Sequence, residues 1–182
     1  MQHLIHAIDR FTDLTCKVLG LLVIATVLLT TLVVVLRYGF NYGSIALQEG
    51  ITYLHSIVFM LGAAYALKHN AHVRVDIFYQ RFNTRQKAWI NALGTLIFLF
   101  PLCGLIIIDS IDFVAQAWSI RETSTESGGI AGVYLLKTII PLMACTLGLQ
   151  GIAELLRNAQ ILLQDDDASD SHSTTSRASS KS

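Results

Sequence analysis

The reading of the chain turns on residues 48–76. Gln48-Glu49 opens an apolar run that carries His55 midway and leaves through Gly62-Ala63-Ala64-Tyr65-Ala66-Leu67 into His72-Val73-Arg74-Val75-Asp76. Polar groups at its ends and small residues near its exit are what a membrane helix needs in order to pack against other protein.

Composition around this segment points the same way. The chain of 182 residues is 53% hydrophobic and 14% charged, with a mean hydropathy of +0.53. Water-soluble domains carry about 25% charged residues. Four apolar stretches, near Val18 to Leu36, Ile45 to Leu67, Ala88 to Ile108 and Ile130 to Leu156, reach the length of about 20 residues that a hydrocarbon core requires of a helix. Barrel strands would alternate polar and apolar residues, and these runs do not. The expected fold is an all-α integral membrane protein of four transmembrane helices, each satisfying its own backbone groups in lipid.

Charge sums to zero, so its distribution carries the information. Arg10 and Lys17 precede the first span, Lys68, Arg74, Arg81, Arg85 and Lys87 fill the second loop, and Arg157, Arg177 and Lys181 follow the last span. The other two loops hold only Arg37 and Arg121. The positive-inside rule then predicts that both termini and the second loop are cytoplasmic.

Residues 1–13 lack the layout of a removable signal peptide. Leu4, Ile8 and Phe11 share one helical face, predicting a short amphipathic interfacial helix, with a frayed terminus as the alternative. The four-helix membrane domain is expected over 14–158. The Ser-, Asp- and Thr-rich residues 159–182 cannot bury a core and predict a disordered cytoplasmic tail.

Several polar residues invite a functional reading. Glu49 lies in the first turn of the second span, where the helix dipole favours a carboxylate and where Arg37, across the Gly39–Gly43 turn, is within reach as one partner. It is read as a structural or interface acid, against the alternative of a proton- or substrate-binding carboxylate. His55 lies about 15 Å into its helix at 1.5 Å per residue, which predicts an interhelical hydrogen bond; a haem ligand would need a second midplane histidine. Gly62, Ala63 and Ala66 offer a face for close helix approach, as do Ala144 and Gly148. His69, His72 and Asp76 match no strong metal-binding spacing. Cys16, Cys103 and Cys145 form no CxxC pair and read as buried bystanders. Asn83 and Gln86 predict a helix-start box, and an apolar face that persists to Val114 and Ala115 extends the third span toward Trp118. In the fourth span Lys137 snorkels or pairs with an acid, Pro141 predicts a kink, and Gln150 and Glu154 lie one turn apart. No catalytic residue, cofactor, metal or nucleic-acid partner is expected.

Gln48-Glu49, Gly62-Ala63-Ala64-Tyr65-Ala66, His72-Val73-Arg74-Val75-Asp76, Leu136-Lys137 to Ile140-Pro141, and Leu149-Gln150-Gly151 together resemble the small membrane subunit of tripartite ATP-independent periplasmic (TRAP) transporters, the DctQ family. The resemblance runs from about Leu14 to Asn158. It implies a chain in the bacterial inner membrane that extends the fixed scaffold of a large multi-span TRAP membrane subunit. That larger partner carries the substrate and sodium sites and moves as an elevator. A periplasmic solute-binding protein delivers the solute, commonly a carboxylate, and membrane lipid surrounds the assembly. Two readings of other classes compete: a haem-bearing membrane anchor of an oxidoreductase using His55, and a self-sufficient four-helix proton-coupled exporter using Glu49.

Overall fold

The structure is a computed structural model that describes residues 2–69 and 82–179. Among these the regular structure is entirely helical: α1 (Gln2–Gly39), α2 (Ile45–Lys68), α3 (Thr84–Gly94), a five-residue π turn (Thr95–Leu99), α4 (Phe100–Ser119) and α5 (Val133–Ser179). Four helical stretches are long and apolar enough to cross a membrane, namely Gln2–Gly39, Ile45–Lys68, Arg85–Ser119 and Val133–Leu163. They contain the four predicted spans, or all but their first few residues, and most run well beyond them.

Helix ends follow local chemistry. After Gly39 the chain turns at Asn41, whose φ of 52° is the left-handed conformation that asparagine tolerates. Ser44 then caps α2, accepting a hydrogen bond from the Leu47 N–H at 3.4 Å. At the start of α3 the Asn83 N–H donates to Gln86 Oε1 at 3.2 Å, which is one half of the expected box.

α5 is the element on which the others are assembled. α1 and α2 pack on each other and on α5, while α3, the π turn and α4 also pack on α5. Within its most apolar stretch α5 buries 39% of its positions, against 6% for α1 and for α2. The core sets small side chains among branched ones: Cys103, Ala144 and Leu147 are buried, with Ala63 and Leu67 of α2 and Ile106 and Ile107 of α4 against them. Small residues let helix backbones approach closely, and in lipid that dispersion contact substitutes for the hydrophobic effect.

Three features add to the sequence picture. Residues 2–13 are the first turns of a continuous α1: no glycine or proline interrupts them, and Ile5, Thr12 and Leu19 form a single buried stripe. The third span contains the π turn, which ends with the Phe100 N–H bonded to the Thr95 carbonyl. Pro101 follows at once. Proline has no N–H and its ring clashes with the carbonyl four residues back, so a widened turn is the local accommodation. Buried positions accordingly step by seven from Ala88 to Thr95 and from Cys103 to Ser110 to Ala117, but by eight across the turn. Finally, the α5 backbone is helical to Ser179. Pro141 lies inside α5, which remains continuous through it.

The π turn and α5 touch tightly at Gly151, where an added Cβ would come within 2.6 Å of Leu99 Cδ2. Gly148, one turn away, would meet nothing within 4 Å. Gly151→Val is expected to destabilise the isolated chain in detergent by about 1–3 kcal/mol relative to Gly148→Val, read as the difference between their thermal unfolding transitions.

Candidate functional site: polar clamps at the two ends of the bundle

At the end of the bundle that carries the N-terminus, spacing alone brings polar side chains onto facing helices. Asp9, Thr12 and Asp13 lie three and four residues apart on α1, and Gln150, Glu154, Arg157 and Asn158 do so on α5. Gln150 is completely buried; Thr12 Oγ1 donates to its Oε1 at 2.9 Å, and its Nε2 donates to Asp9 Oδ1 at 3.3 Å. Arg157 bridges two acids, meeting Asp9 Oδ2 at 3.0 Å through Nη2 and Glu154 Oε2 at 2.7 Å through Nη1. Asn158 Nδ2 donates to the Glu154 carbonyl at 2.8 Å. From the end of α2, Lys68 reaches Asp13 at 2.5 Å and the Asp9 carbonyl at 3.2 Å.

This cluster therefore joins three helices through charge-assisted hydrogen bonds. Such bonds gain strength where water is excluded, and an unpaired member would be costly there. The two cations are both engaged by acids, which suits a fastening more than an open binding site.

At the opposite end Glu49 performs the corresponding task. It projects from the first turns of α2, accepts a hydrogen bond from Ser124 Oγ, and accepts the Ile130 N–H at 2.6 Å. The α4–α5 loop is thus folded back onto α2. Gly129 is the close-approach point, since a Cβ there would meet Glu49 Oε1 at 2.7 Å and collide with Ser124. The same loop is fastened to α5 by Lys137, which pairs with Glu122 at 2.5 Å and lies 3.9 Å from the centre of the Phe113 ring. Trp118 donates from its indole to Thr138 at 2.9 Å and stands edge-on to Tyr134.

These positions correct parts of the sequence reading. Glu49 is engaged by Ser124 and Ile130, not by Arg37, because the folded loop delivers two donors to its carboxylate while Arg37 stays exposed beside Tyr38, Asn41 and Gln48. His55 makes no interhelical hydrogen bond among the described residues: it is exposed on the outer face of α2, with its ring 6.3 Å from that of Phe59. Of the small residues near the α2 exit, Ala63 and Ala64 pack inward, while Gly62 faces open space. Gly148 is likewise open although Ala144 is fully buried. Cys103 is buried, but Cys16 is partly exposed and Cys145 exposed. Tyr65 stacks obliquely on His69 at 4.3 Å. His72, Arg74 and Asp76 lie outside the described residues. Lys137 and Gln150 occupy the two clamps, and Pro141 lies between them on α5. Sequence reasoning gave Asp9, Thr12, Glu122 and Ser124 no role in a site and counted Lys68 and Arg157 only among the charges that set the orientation. The spacing of Asp9, Thr12 and Asp13 was the available signal, since it marks a polar face on a helix about to enter lipid.

Among the described residues no group of three or more His, Cys, Asp or Glu side chains is placed to hold a metal ion. The Tyr53 hydroxyl is buried without a hydrogen-bond partner among them.

Three substitutions measure the clamps. Gln150→Ala is expected to destabilise by about 1–3 kcal/mol, the cost of leaving buried partners unsatisfied. Glu49→Ala strands two donors and should both lower the unfolding transition and open the 120–132 loop to protease. Tyr53→Phe removes an unpaired buried hydroxyl, so the transition should hold or rise. Equal transitions for all three variants would show that neither clamp contributes.

Comparison with known proteins agrees with this architecture. The family model for the tripartite ATP-independent periplasmic transporters, DctQ component, matches residues 26–161. A Haemophilus influenzae protein whose name makes it a candidate TRAP transporter small permease protein is 32% identical over 110 residues, which cover 60% of this chain and 65% of that protein. No solved structure matches. The family match starts within α1, after Asp9, Thr12 and Asp13, and ends within α5, so it covers the Glu49 clamp and the α5 side of the Gln150 clamp. The chain is thus a membrane protein that belongs to the DctQ component family of the tripartite ATP-independent periplasmic transporters.

Proposed function

We propose that this chain is the small permease subunit of a TRAP-type secondary transporter in the bacterial inner membrane. It braces the large multi-span membrane subunit during ion-coupled uptake of an organic acid or related solute handed over by a periplasmic solute-binding protein. The family match over residues 26–161 carries this reading.

The physical layout supports a bracing role. A fixed scaffold must resist relative movement of its own helices, and each end of this bundle is fastened by buried or partly buried polar contacts. On the positive-inside rule, the distribution of Lys and Arg favours a cytoplasmic position for both termini and for the segment between α2 and α3. The Gln150 clamp then lies at the cytoplasmic end and the Glu49 clamp at the periplasmic end. Glu49 favours a fastening role over proton carriage because both of its oxygens are already engaged by donors from the loop. Glu49, Gly62 to Tyr65 and His72 to Asp76 are assigned to holding the fold and the subunit interface.

The test is to tag the chain in its native host, extract it in mild detergent and identify co-purifying proteins by mass spectrometry. A stoichiometric, much larger multi-span protein is the expected result. Recovery of the chain alone, with transport by it in liposomes, would overturn the subunit reading. Glu49→Ala and Asp76→Ala should reduce complex yield and uptake together; unchanged values for both would remove these residues from the assignment.

A further inference from the structure

α2 carries an outward stripe unlike the outward face of the neighbouring α1. Gln48, Thr52, His55, Phe59, Gly62 and His69 recur at steps of three, four and seven residues. All face away from the bundle: Gly62 meets nothing within 4 Å, Phe59 is 74% exposed, and the other four are exposed. The neighbouring outward face of α1 presents Leu21, Ile24, Leu28 and Val35, as a lipid-facing surface should. Thr52 satisfies its hydroxyl on the Gln48 carbonyl of its own helix, and His69 lies at the helix end against Tyr65. His55 has no such outlet. About 15 Å from the start of α2 it stands near the bilayer centre, where neither water nor lipid tails offer its ring nitrogens a hydrogen bond.

We infer that this stripe of α2 is the seam on which one transmembrane helix of the large subunit docks, with a hydrogen-bonding side chain opposite His55 and close backbone approach at Gly62. The inference rests on the small-subunit reading above and adds which surface makes the contact. A repeat averaging 3.5 residues is the pattern of left-handed helix pairs crossing at about 20°, so the docked helix runs nearly along α2. A polar group at a single central position fixes register in such pairs, which is the part assigned to His55.

The experiment co-expresses the tagged chain with the large subunit and places the photo-crosslinker p-benzoylphenylalanine at position 59 or, as control, at position 28. Irradiation in membranes should give an adduct with the large subunit from position 59 and none from position 28. His55→Leu should lower the large subunit recovered per tagged chain about threefold, the scale of one interhelical hydrogen bond in a membrane. Gly62→Phe should lower it further and Leu28→Phe should leave it unchanged. The thermal transition of the isolated chain should be the same for all three variants, which separates docking from folding. A position 59 adduct with a second copy of this chain, or with lipid alone, overturns the seam, as does unchanged recovery for both His55→Leu and Gly62→Phe. Wild-type chain that recovers no large subunit overturns the small-subunit reading itself, and the seam with it.

Discussion

The contact on which most of the structure depends is the one between Gln150 and α1. A side chain with four hydrogen-bonding positions is completely buried on the central helix, and its partners Thr12 and Asp9 come from a helix nearly the whole chain away in sequence. In lipid there is no hydrophobic force to press helices together, so apolar faces alone leave their rotation and depth weakly determined. A buried amide changes that, because only one rotation of α1 about its axis presents Thr12 and Asp9 to it. Arg157 and Lys68 then secure the same face from α5 and α2.

The other end of the bundle solves a different problem. A connection between α4 and α5 that included Arg121 at φ 46° and Gly128 at φ 84° would have little reason to hold one shape if it were merely solvated. Here it is ordered by a carboxylate from a helix that it does not connect. Glu49 thereby couples the start of α2 to the entry of α5, and Lys137 with Glu122 couples the same loop to α5 itself. The polar contacts between helices are concentrated where helices begin and end, and the middle is packed by apolar side chains around Cys103, Ala144 and Leu147.

Much of the fold was legible because membrane length is a statement about composition, which local sequence records directly. Helix count, the Asn83–Gln86 start and the projection of the third span to Ser119 all follow from such local patterns. The sites were less legible. Glu49 was read as a structural or interface acid, but its partners Ser124 and Ile130 lie 75 and 81 residues away and no local spacing announces them. His55 was expected to bond to another helix and instead faces outward on α2, since hydropathy gives position along a helix and says nothing of rotation about it. Pro101 stands within an apolar run whose length is unaffected by it, so the π turn left no mark on the span assignment.

That π turn sets the phase of the third span. One extra residue separates the buried pair Ala88 and Thr95 from the buried series Cys103, Ser110 and Ala117. Each residue of an α-helix turns the face by about 100°, so an uninterrupted helix would swing the later series round toward the lipid. Cys103 would then leave its place beside Ala144 and Leu147, and the far half of the span would offer α5 a different set of side chains. A single peptide unit, inserted where a proline already disturbs the backbone, brings both halves of the span into line with one central helix.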